Sequence, residues 1–345
     1  MRCVRIHEHG GPEVLVPEEI DPPAIRADEA LVRVKASAMN HLDIWVRRGV
    51  PGHPFPLPII PGCDMTGVVE EVGDVVNGFA PGDEVVVSPG YFDPAERRSL
   101  EGRHSLSPSY GIFGETRDGG NAEFCAVPGV NLIRKPANLD FVEAASMPLA
   151  FLTAWHMLVA RCDVRPGQFV LVHAGGSGVG VAAIQIAKLH GAIVITTAST
   201  REKLDRAADL GADHLIDYSS QDFAKEVRRI TDKRGVDIVF EHTGEKTWPG
   251  SLKSVAWGGK IVTCGATSGF QAVSDLRMIF FKQISILGST MGSAAEVIEV
   301  MDHAAAGRLK PVVDRTFPLA DVADAHRYVE DRSQFGKVVI RPEED

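Results

Sequence analysis

The sequence predicts an α/β protein that combines a β-rich domain with a doubly wound parallel sheet, and three observations support this prediction. Strand-like and helix-like segments alternate from about Val127 to Gly288. A glycine-rich turn joins the first strand of that region to a helix. The first ~125 residues instead contain short β-rich runs that are separated by glycine and proline.

The glycine-rich turn is the segment His173–Gly180, which follows the apolar run Phe169–Val172 and precedes a helix pattern that starts at Val181. Glycines let a backbone turn sharply and approach a pyrophosphate, and the helix N-terminus offers unpaired N–H groups and a partial positive charge. A tight turn without a ligand uses the same residue types, but the flanking strand and helix favour nucleotide binding. The residues predicted to bind the dinucleotide are Gly175, Gly176, Ser177, Gly178, Val179 and Gly180.

Further buried strands follow, each separated from the next by a helix or a loop. Strands that are separated by helices of this length pair in parallel, with right-handed crossovers. The predicted strands are Ile193–Ala198, His214–Tyr218, Asp237–Phe240, Lys260–Cys264 and Ile284–Leu287, and helices are predicted near Arg201–Leu210 and Asp222–Thr231.

The N-terminal region and the C-terminal tail are predicted to fold together. The runs Leu31–Ala38, Gly67–Val72 and Asp83–Val87 are typical of a barrel-like β domain. The tail from about Pro311 contains a predicted helix near Asp321–Asp331 and a predicted strand near Gly336–Ile340. These two elements have no place in the parallel sheet. We therefore expect the tail to return to the N-terminal domain.

Composition indicates an ordinary globular enzyme. The 345 residues allow about two domains of roughly 150 residues each, and 44% of them are hydrophobic. The net charge of −10 and the lack of a basic run argue against a nucleic-acid partner. No apolar stretch approaches the length of a membrane span, and the N-terminus lacks the apolar core of a signal peptide. The five scattered cysteines predict no disulfide framework and a cytoplasmic location.

Two segments resemble a known superfamily. Pro61–Gly73 keeps the glycine spacing of the zinc alcohol dehydrogenase signature, with Cys63 and Asp64 where that signature has His and Glu. The dinucleotide turn resembles the quinone oxidoreductase signature. The chain is therefore identified as a member of the medium-chain dehydrogenase/reductase superfamily over essentially its whole length. This resemblance implies a GroES-like β-barrel catalytic domain (1–126, completed by 292–345) and a doubly wound Rossmann domain (127–291) that binds a nicotinamide cofactor.

The residues at the family's zinc positions predict a member without zinc. Zinc members place cysteines where this chain has Asn40 and Leu149, and neither amide nor leucine side chains are credible zinc ligands. Cys63 and Asp64 do not make a site alone. A set of His41, Asp43 and Cys63 is the remaining, disfavoured alternative. The segment 88–115, which corresponds to the family's structural-zinc lobe, contains no cysteine.

The cysteine-free lobe must be ordered by something other than a metal. It carries four aromatic residues, which either pack the lobe or form the wall of a substrate pocket, and packing is favoured. These residues are Tyr91, Phe92, Tyr110 and Phe113.

The absence of zinc ligands favours an electrophile that is easier to reduce than a plain carbonyl: a quinone, or a double bond conjugated to a carbonyl. Hydride then enters the far end of the conjugated system, and hydrogen bonds hold the negative charge that develops on oxygen. The segment Asn40–Arg47 resembles the Asn-x-x-Asp-x-Tyr-x-Arg stretch of quinone oxidoreductases, with Trp45 in place of Tyr. The resemblance implies that Asn40 bonds the substrate oxygen. Asp43 either holds the loop or relays a proton, or only caps the following helix. Cys63 and Asp64 complete the predicted catalytic set.

The end of the second parallel strand predicts a preference for NADP(H) over NAD(H). NAD-specific domains carry an acidic residue there, whereas this chain has none from Ala198 to Thr200. Ser199, Arg201 and Lys203 offer hydroxyl and cationic donors that suit a 2′-phosphate. The alternative is that Arg201 and Lys203 form a solvated first helical turn. The resemblance adds Tyr218 at this phosphate, Thr153 against the nicotinamide, and Thr243, Gly265, Gly288 and Ser289 among the cofactor-binding residues.

Together these features predict an NADPH-dependent reductase of quinones or activated double bonds, with a small carbonyl compound or quinone as substrate and neither nucleic acid nor membrane as partner. Two alternatives remain: an alcohol or aldehyde dehydrogenase of the same superfamily, and a non-catalytic, crystallin-like protein that binds NADPH. The resemblance also implies a homodimer or homotetramer, because family members commonly dimerise through the edge of the Rossmann sheet.

Overall fold

The structure is a computed structural model that describes residues 1–342. The chain folds into two compact units. One unit comprises Met1–Ala150 together with the chain from Ser293 onward, and the other comprises Phe151–Gly292. Within the described residues, no helix is both long enough and apolar enough to cross a bilayer.

The strands, in chain order, are β1 (Arg2–Ile6), β2 (Leu15–Glu19), β3 (Glu29–Ala38), β4 (Asp64–Val72), β5 (Glu84–Val87), β6 (Gly90–Tyr91), β7 (Gly111–Ile112), β8 (Phe124–Pro128), β9 (Leu132–Arg134), β10 (Phe169–Val172), β11 (Ile193–Ala198), β12 (His214–Asp217), β13 (Val236–Glu241), β14 (Val255–Thr263), β15 (Ser285–Gly288), β16 (Val313–Pro318) and β17 (Lys337–Arg341).

The α-helices, in chain order, are α1 (His41–Arg48), α2 (Arg97–Leu100), α3 (Phe141–Ala145), α4 (Pro148–Trp155), α5 (Gly178–Leu189), α6 (Arg201–Asp209), α7 (Phe223–Ile230), α8 (Trp248–Ser254), α9 (Leu276–Lys282), α10 (Ala294–Ala305) and α11 (Val322–Glu330).

The unit Phe151–Gly292 contains a six-stranded sheet with the order β12-β11-β10-β13-β14-β15, and every neighbouring pair is parallel. Val170, Leu171 and Val172 of β10 are all buried, as expected for a central strand that is covered on both faces. The strand order reverses between β10 and β13, which is where ligands bind in open sheets of this type. The predicted doubly wound sheet is confirmed.

The other unit contains a seven-stranded sheet with the order β16-β17-β3-β4-β5-β9, in which β8 also pairs with β3. β17 runs antiparallel to β3, with Val339 opposite Ala38. The C-terminal tail thus joins the N-terminal sheet, which confirms that expectation. β3 ends at Ala38, and the two antiparallel strands beside it, β4 and β17, begin at Asp64 and Lys337. The end of β3 and the starts of β4 and β17 therefore lie together at one edge of this sheet.

The division between the units lies further along the chain than the predicted boundary at 126. That residue falls inside β8, which pairs with β3, and β9 pairs with β5. Ala145 of α3 packs with Ala36, Ala38 and Val339 of the same unit. These long-range contacts extend the first unit to Ala150.

Candidate active site and cofactor site

The glycine-rich turn leads from β10 into the N-terminus of α5. Ser177 caps this helix by accepting a hydrogen bond from the N–H of Gly180 at 3.0 Å. A Cβ atom at position 180 would lie 2.4 Å from the carbonyl oxygen of Ala174, and one at position 175 would lie 2.2 Å from the hydroxyl of Thr196. The turn therefore keeps its tight shape only with glycine at these positions, and its shape with the helix N-terminus fits a dinucleotide pyrophosphate.

A buried hydrogen-bond network fixes the start of this turn. Nε2 of His173 lies 2.9 Å from the hydroxyl oxygen of Ser251, which donates to a carboxylate oxygen of Glu241 at 2.8 Å. That carboxylate also accepts from the hydroxyl of Thr247 and from the N–H of Thr243. Burial lowers the pKa of His173, so the imidazole is neutral and donates through Nε2. The network connects the glycine turn to the end of β13.

No local pattern in the sequence indicates this network. His173, Ser251 and Glu241 come from three separate elements, and each residue taken alone is typical of ordinary strands or helices. Thr243, which was predicted to bind the cofactor, donates its N–H to Glu241 at 2.8 Å.

The residues predicted for the 2′-phosphate lie near the carboxyl ends of β11 and β12. The N–H of Tyr218 donates to the carbonyl oxygen of Ala198 at 3.1 Å, so Tyr218 and Ser199 follow adjacent strands. The guanidinium of Arg201 pairs with Asp205 at 2.7 Å, and its side chain is 80% exposed. The structure adds a carboxylate that the sequence analysis missed, because the register places Asp217 opposite Ala198.

The remaining predicted cofactor residues belong to the same unit. Thr153 is buried in α4. Thr243, Gly265 and Ser289 follow the carboxyl ends of the adjacent strands β13, β14 and β15, and Gly288 ends β15. The N–H of Ser289 donates to the carbonyl oxygen of Thr263 at 2.9 Å. These four residues of the strand ends therefore lie at the same edge of the parallel sheet as the glycine turn.

In the other unit, Asp43 holds two backbone segments. Asn40 caps α1, and its N–H donates to Oδ2 of Asp43 at 2.7 Å, as in a capping box. The N–H of Gly62 donates to Oδ1 of the same carboxylate at 2.9 Å. Burial raises the pKa of Asp43 to about 6. Because both oxygens accept from backbone N–H groups, Asp43 ties α1 to the segment that precedes β4.

The side chain of Asn40 lies in a cluster with Asp64 and Lys337. Its Nδ2 donates to Oδ2 of Asp64 at 2.8 Å, and its Oδ1 accepts from Nζ of Lys337 at 2.5 Å. Nζ of Lys337 lies 3.0 Å from the same Asp64 oxygen. The other oxygen of Asp64 accepts from the N–H of Leu149 at 2.7 Å. The sequence analysis missed Lys337, which is 273 residues from Asp64 in the chain.

The predicted residue Cys63 completes this cluster. Its Sγ lies 3.2 Å from Nδ2 of Asn40. Burial raises the pKa of Cys63 well above its ordinary value, so the thiol stays protonated. Trp45 lies on α1 and packs edge-to-face against His41, with ring centroids 5.2 Å apart.

The donor set does not fit a zinc ion. An amide N–H is not a zinc ligand, and the Asp64 carboxylate already binds the ammonium of Lys337. A metal cation at Asp64 would be repelled by that ammonium. Among residues 1–342, no three His, Cys, Asp or Glu side chains are placed to hold a metal, and this includes the alternative set of His41, Asp43 and Cys63.

Aromatic and cationic contacts order the lobe 88–115. The guanidinium of Arg117 lies 5.3 Å from the ring centroid of Tyr91 and 5.1 Å from that of Phe113. Phe92 stacks on His104 at 3.8 Å, and Nδ1 of His104 accepts from the N–H of Ala294 at the start of α10. These contacts favour the packing interpretation of the lobe over a pocket wall.

Comparison with known proteins gives matches to both units. Residues 26–137 match the alcohol dehydrogenase GroES-like domain, and residues 178–306 match the zinc-binding dehydrogenase family. The chain is 34% identical to a zinc-type alcohol dehydrogenase-like protein of Schizosaccharomyces pombe, with 99% of each chain covered. It is 33% identical to a 2-haloacrylate reductase of Burkholderia sp., with 98% of each covered.

Among solved structures, one described as an NAD-dependent alcohol dehydrogenase superposes with a TM-score of 0.96 at 49% identity. The superposition covers 99% of this chain and 100% of the other. The fold is therefore shared with that solved structure, and the two relatives match this chain over nearly their whole length.

Proposed function

Since the chain belongs to the medium-chain dehydrogenase/reductase superfamily and is a nicotinamide-dependent oxidoreductase, we propose that it reduces a quinone or a carbon–carbon double bond conjugated to a carbonyl, with NADPH and without zinc. The single observation that carries this proposal is the cluster of Asn40, Asp64 and Lys337. Asn40 and Asp64 stand at two of the family's metal-ligand positions, and the side chain of Lys337 contacts both of them. A site of this kind stabilises a delocalised oxyanion by hydrogen bonding rather than an alkoxide by a metal.

The cofactor supplies the hydride when it is bound, and the chain's residues supply the binding sites and hydrogen bonds. The glycine turn from Gly175 to Gly180 would hold the pyrophosphate, and Thr153, Thr243, Gly265, Gly288 and Ser289 would surround the nicotinamide. Ser199, Arg201, Lys203 and Tyr218 would hold the 2′-phosphate. For that contact the Arg201 guanidinium must exchange its exposed partner Asp205 for the phosphate.

Asn40 would hold the substrate oxygen. One amide hydrogen of Nδ2 goes to Asp64 at 2.8 Å, while the other acceptors around Nδ2, Sγ of Cys63 and the carbonyl oxygen of Ala38, lie at 3.2 and 3.3 Å. The second N–H thus has only weak partners. It can exchange them for a substrate oxygen on which negative charge develops, and this contact strengthens as the charge grows.

A second candidate is NAD-dependent alcohol oxidation, and two observations favour it. The similar solved structure at 49% identity carries that description. The carboxylate of Asp217, opposite Ala198, would repel a 2′-phosphate and would favour a ribose hydroxyl as in NAD. The 2-haloacrylate reductase at 33% identity acts, by its name, on an activated double bond and supports the first candidate.

We also propose that the protein acts as a homodimer or homotetramer in the cytoplasm. β15 is the last strand of its sheet, and its residue Ile286 is exposed, as are the rings of Phe280 and Phe281 on the preceding helix α9. An open strand edge with exposed apolar side chains favours pairing with a second copy. The cytoplasm suits five cysteines that are all unpaired.

The proposal is tested by assaying the purified protein with a panel of quinones, enals, enones and simple alcohols, each with both nicotinamide cofactors. We expect quinones or conjugated carbonyl compounds with NADPH to be turned over fastest. Faster oxidation of simple alcohols with NAD would establish the second candidate instead. A rate of NADPH oxidation that no substrate increases would support a non-catalytic, crystallin-like role.

A further inference from the structure

We propose that Lys337 is a positioning residue that helps to set the orientation of the Asn40 amide and strengthens its second, weakly bonded N–H as a donor to the substrate oxygen. This inference rests on the proposed function for the substrate's chemistry. The orientation of the Asn40 amide depends on Lys337 and Asp64 and not on the identity of the substrate.

The orientation of the Asn40 amide is determined by what its two partners are able to do. An ammonium only donates hydrogen bonds, so Lys337 requires the amide oxygen on its side at 2.5 Å. An ionised carboxylate only accepts, so Asp64 requires the amide nitrogen on its side at 2.8 Å. The reversed amide would place NH2 against the ammonium and oxygen against the carboxylate. Both partners therefore select the same orientation.

Three donors contact the buried carboxylate of Asp64. Its carboxylate accepts from Lys337, from Asn40 and from the N–H of Leu149, at 3.0, 2.8 and 2.7 Å. The side chains of Lys337 and Asp64 are 5% and 0% exposed, so water does not compete for these contacts. The ammonium consequently has a fixed position, which the antiparallel pairing of β17 with β3 provides.

Lys337 also affects the strength of the remaining Asn40 N–H. A cation that binds the oxygen of an amide draws electron density from its nitrogen, and hydrogen bonds in a chain strengthen one another. The Asn40 N–H that faces only Cys63 and Ala38 is the one strengthened for a substrate oxygen. A neutral residue at position 337 would leave Asp64 alone to orient the amide and would weaken this donor.

A double-mutant cycle tests the inference, using the substrate of the panel that the wild-type enzyme turns over fastest. We expect Asn40→Ala to lower kcat on the order of a hundredfold and Lys337→Met to lower it by about ten- to a hundredfold. If Lys337 acts through Asn40, the double variant is no slower than Asn40→Ala. Multiplied effects in the double variant would overturn the inference. Lys135→Met is the matched control, because Lys135 is also a buried, ion-paired lysine of this unit, and we expect it to keep kcat within about twofold.

A second readout needs neither substrate nor turnover. The side-chain amide signals of Asn40 in a 15N-labelled sample are assigned by their loss in Asn40→Ala. We expect them to shift in Lys337→Met and to stay in place in Lys135→Met. Unshifted Asn40 signals in Lys337→Met would overturn the inference even if the protein reduces quinones, while shifted signals in a protein that oxidises only alcohols would support it and reject the proposed substrate class.

Lys337→Met leaves the Asp64 carboxylate buried and unpaired, which destabilises a fold. If its thermal transition is lost, both measurements are made on Lys337→Met/Asp64→Asn, which has no unpaired buried charge. Lys337→Arg, which keeps a donor-only cation, is expected to restore a larger part of kcat than Lys337→Met. Equal kcat in the Arg and Met variants would count against a role for the charge.

Discussion

Nζ of Lys337 lies 3.0 Å from Oδ2 of Asp64, and both side chains are buried. The cluster around Asn40 therefore contains its own cation, which is paired with its carboxylate. The structure thus gives a physical reason to expect zinc-independent chemistry from a chain whose family is described as zinc-binding.

Purified protein should contain far less than one zinc per chain, and a chelator should leave its activity unchanged. The reason is that Asn40 and Leu149 supply no ligand while Lys337 already neutralises Asp64. The measurement is elemental analysis by mass or emission spectroscopy, with activity assayed before and after chelation. Stoichiometric zinc that survives dialysis would contradict this prediction.

NADPH should bind more tightly than NADH, and Arg201→Ala should reduce the difference. The loss of a charge-assisted contact to the 2′-phosphate costs about 1.5–3 kcal/mol. The measurement is the Kd of each cofactor by fluorescence titration. Arg229→Ala is the matched control, since Arg229 is also an exposed arginine that is paired within its helix. Equal Kd values for both cofactors in the unmodified protein would contradict this prediction and would indicate that the carboxylate of Asp217 repels the 2′-phosphate.

Asn40→Ala should lower the turnover of quinones or enones on the order of a hundredfold while it leaves the Kd of NADPH nearly unchanged. The proposed hydrogen bond strengthens only as charge develops on the substrate oxygen. Steady-state kinetics and cofactor titration separate the two effects. Original rates in Asn40→Ala would show that this amide has no role in the reaction.

Asp43→Asn should act mainly on structure. Both carboxylate oxygens accept backbone N–H groups, from Asn40 and Gly62, and asparagine has an acceptor for only one of them. We expect a lower Tm, because one N–H loses its partner, and an unchanged pH profile of kcat. A pH profile that loses one of its limbs in Asp43→Asn would instead indicate that Asp43 relays a proton.

Ile286→Lys should shift the assembly towards monomer. A charge on the edge strand β15 opposes the pairing of two sheets. Sedimentation velocity at several concentrations measures the change. Ile298→Lys is the control, because Ile298 on α10 is similarly exposed, at 47% against 40%. If the unmodified protein is a monomer at all concentrations, this assignment of the interface is wrong.

The free energy of unfolding should fall as the pH drops from about 6.5, and His326 should account for part of the slope. Burial, with the neighbouring Arg47, lowers the pKa of His326 to about 3, whereas an unfolded histidine has a pKa of about 6.5. Between these two pKa values the unfolded state binds one more proton than the folded state. Each unit by which the pH decreases therefore lowers the free energy of unfolding by about 1.4 kcal/mol. The contribution is fully present above pH ~6.5 and is lost as pH falls towards 3.

His326→Asn should make this slope shallower by about one proton, because asparagine offers Arg47 an acceptor in place of Nδ1 and does not titrate. Denaturant unfolding at pH 7.5, 6, 5 and, where the protein stays folded, 4.5 measures the slope, and the value at pH 7.5 serves as the reference. Some slope should remain, since burial also lowers the pKa of His173 and His242. Parallel curves for both proteins would contradict the assignment.

Features that depend on neighbours in the chain can be predicted from the amino-acid sequence alone. The buried run Phe169–Val172 and the glycines after it predicted β10 and the turn into α5. The tail strand near Gly336–Ile340 follows the alternating strands and helices of the parallel sheet, so it is predicted to pair with the N-terminal domain instead. Apolar period, glycine and capping residues act over a few residues, so they can be recognised in the sequence alone.

Contacts between side chains that are distant in the sequence follow from the pairing of the strands. Lys337 contacts Asn40 and Asp64 because β17 pairs with β3, and Asp217 lies beside Ala198 because of the register between β11 and β12. Strand pairing is selected by burial of the whole sheet, and a shift of one residue would turn every side chain to the other face. No local pattern records that choice, so the partner of the Asn40 amide could be found only in the folded chain.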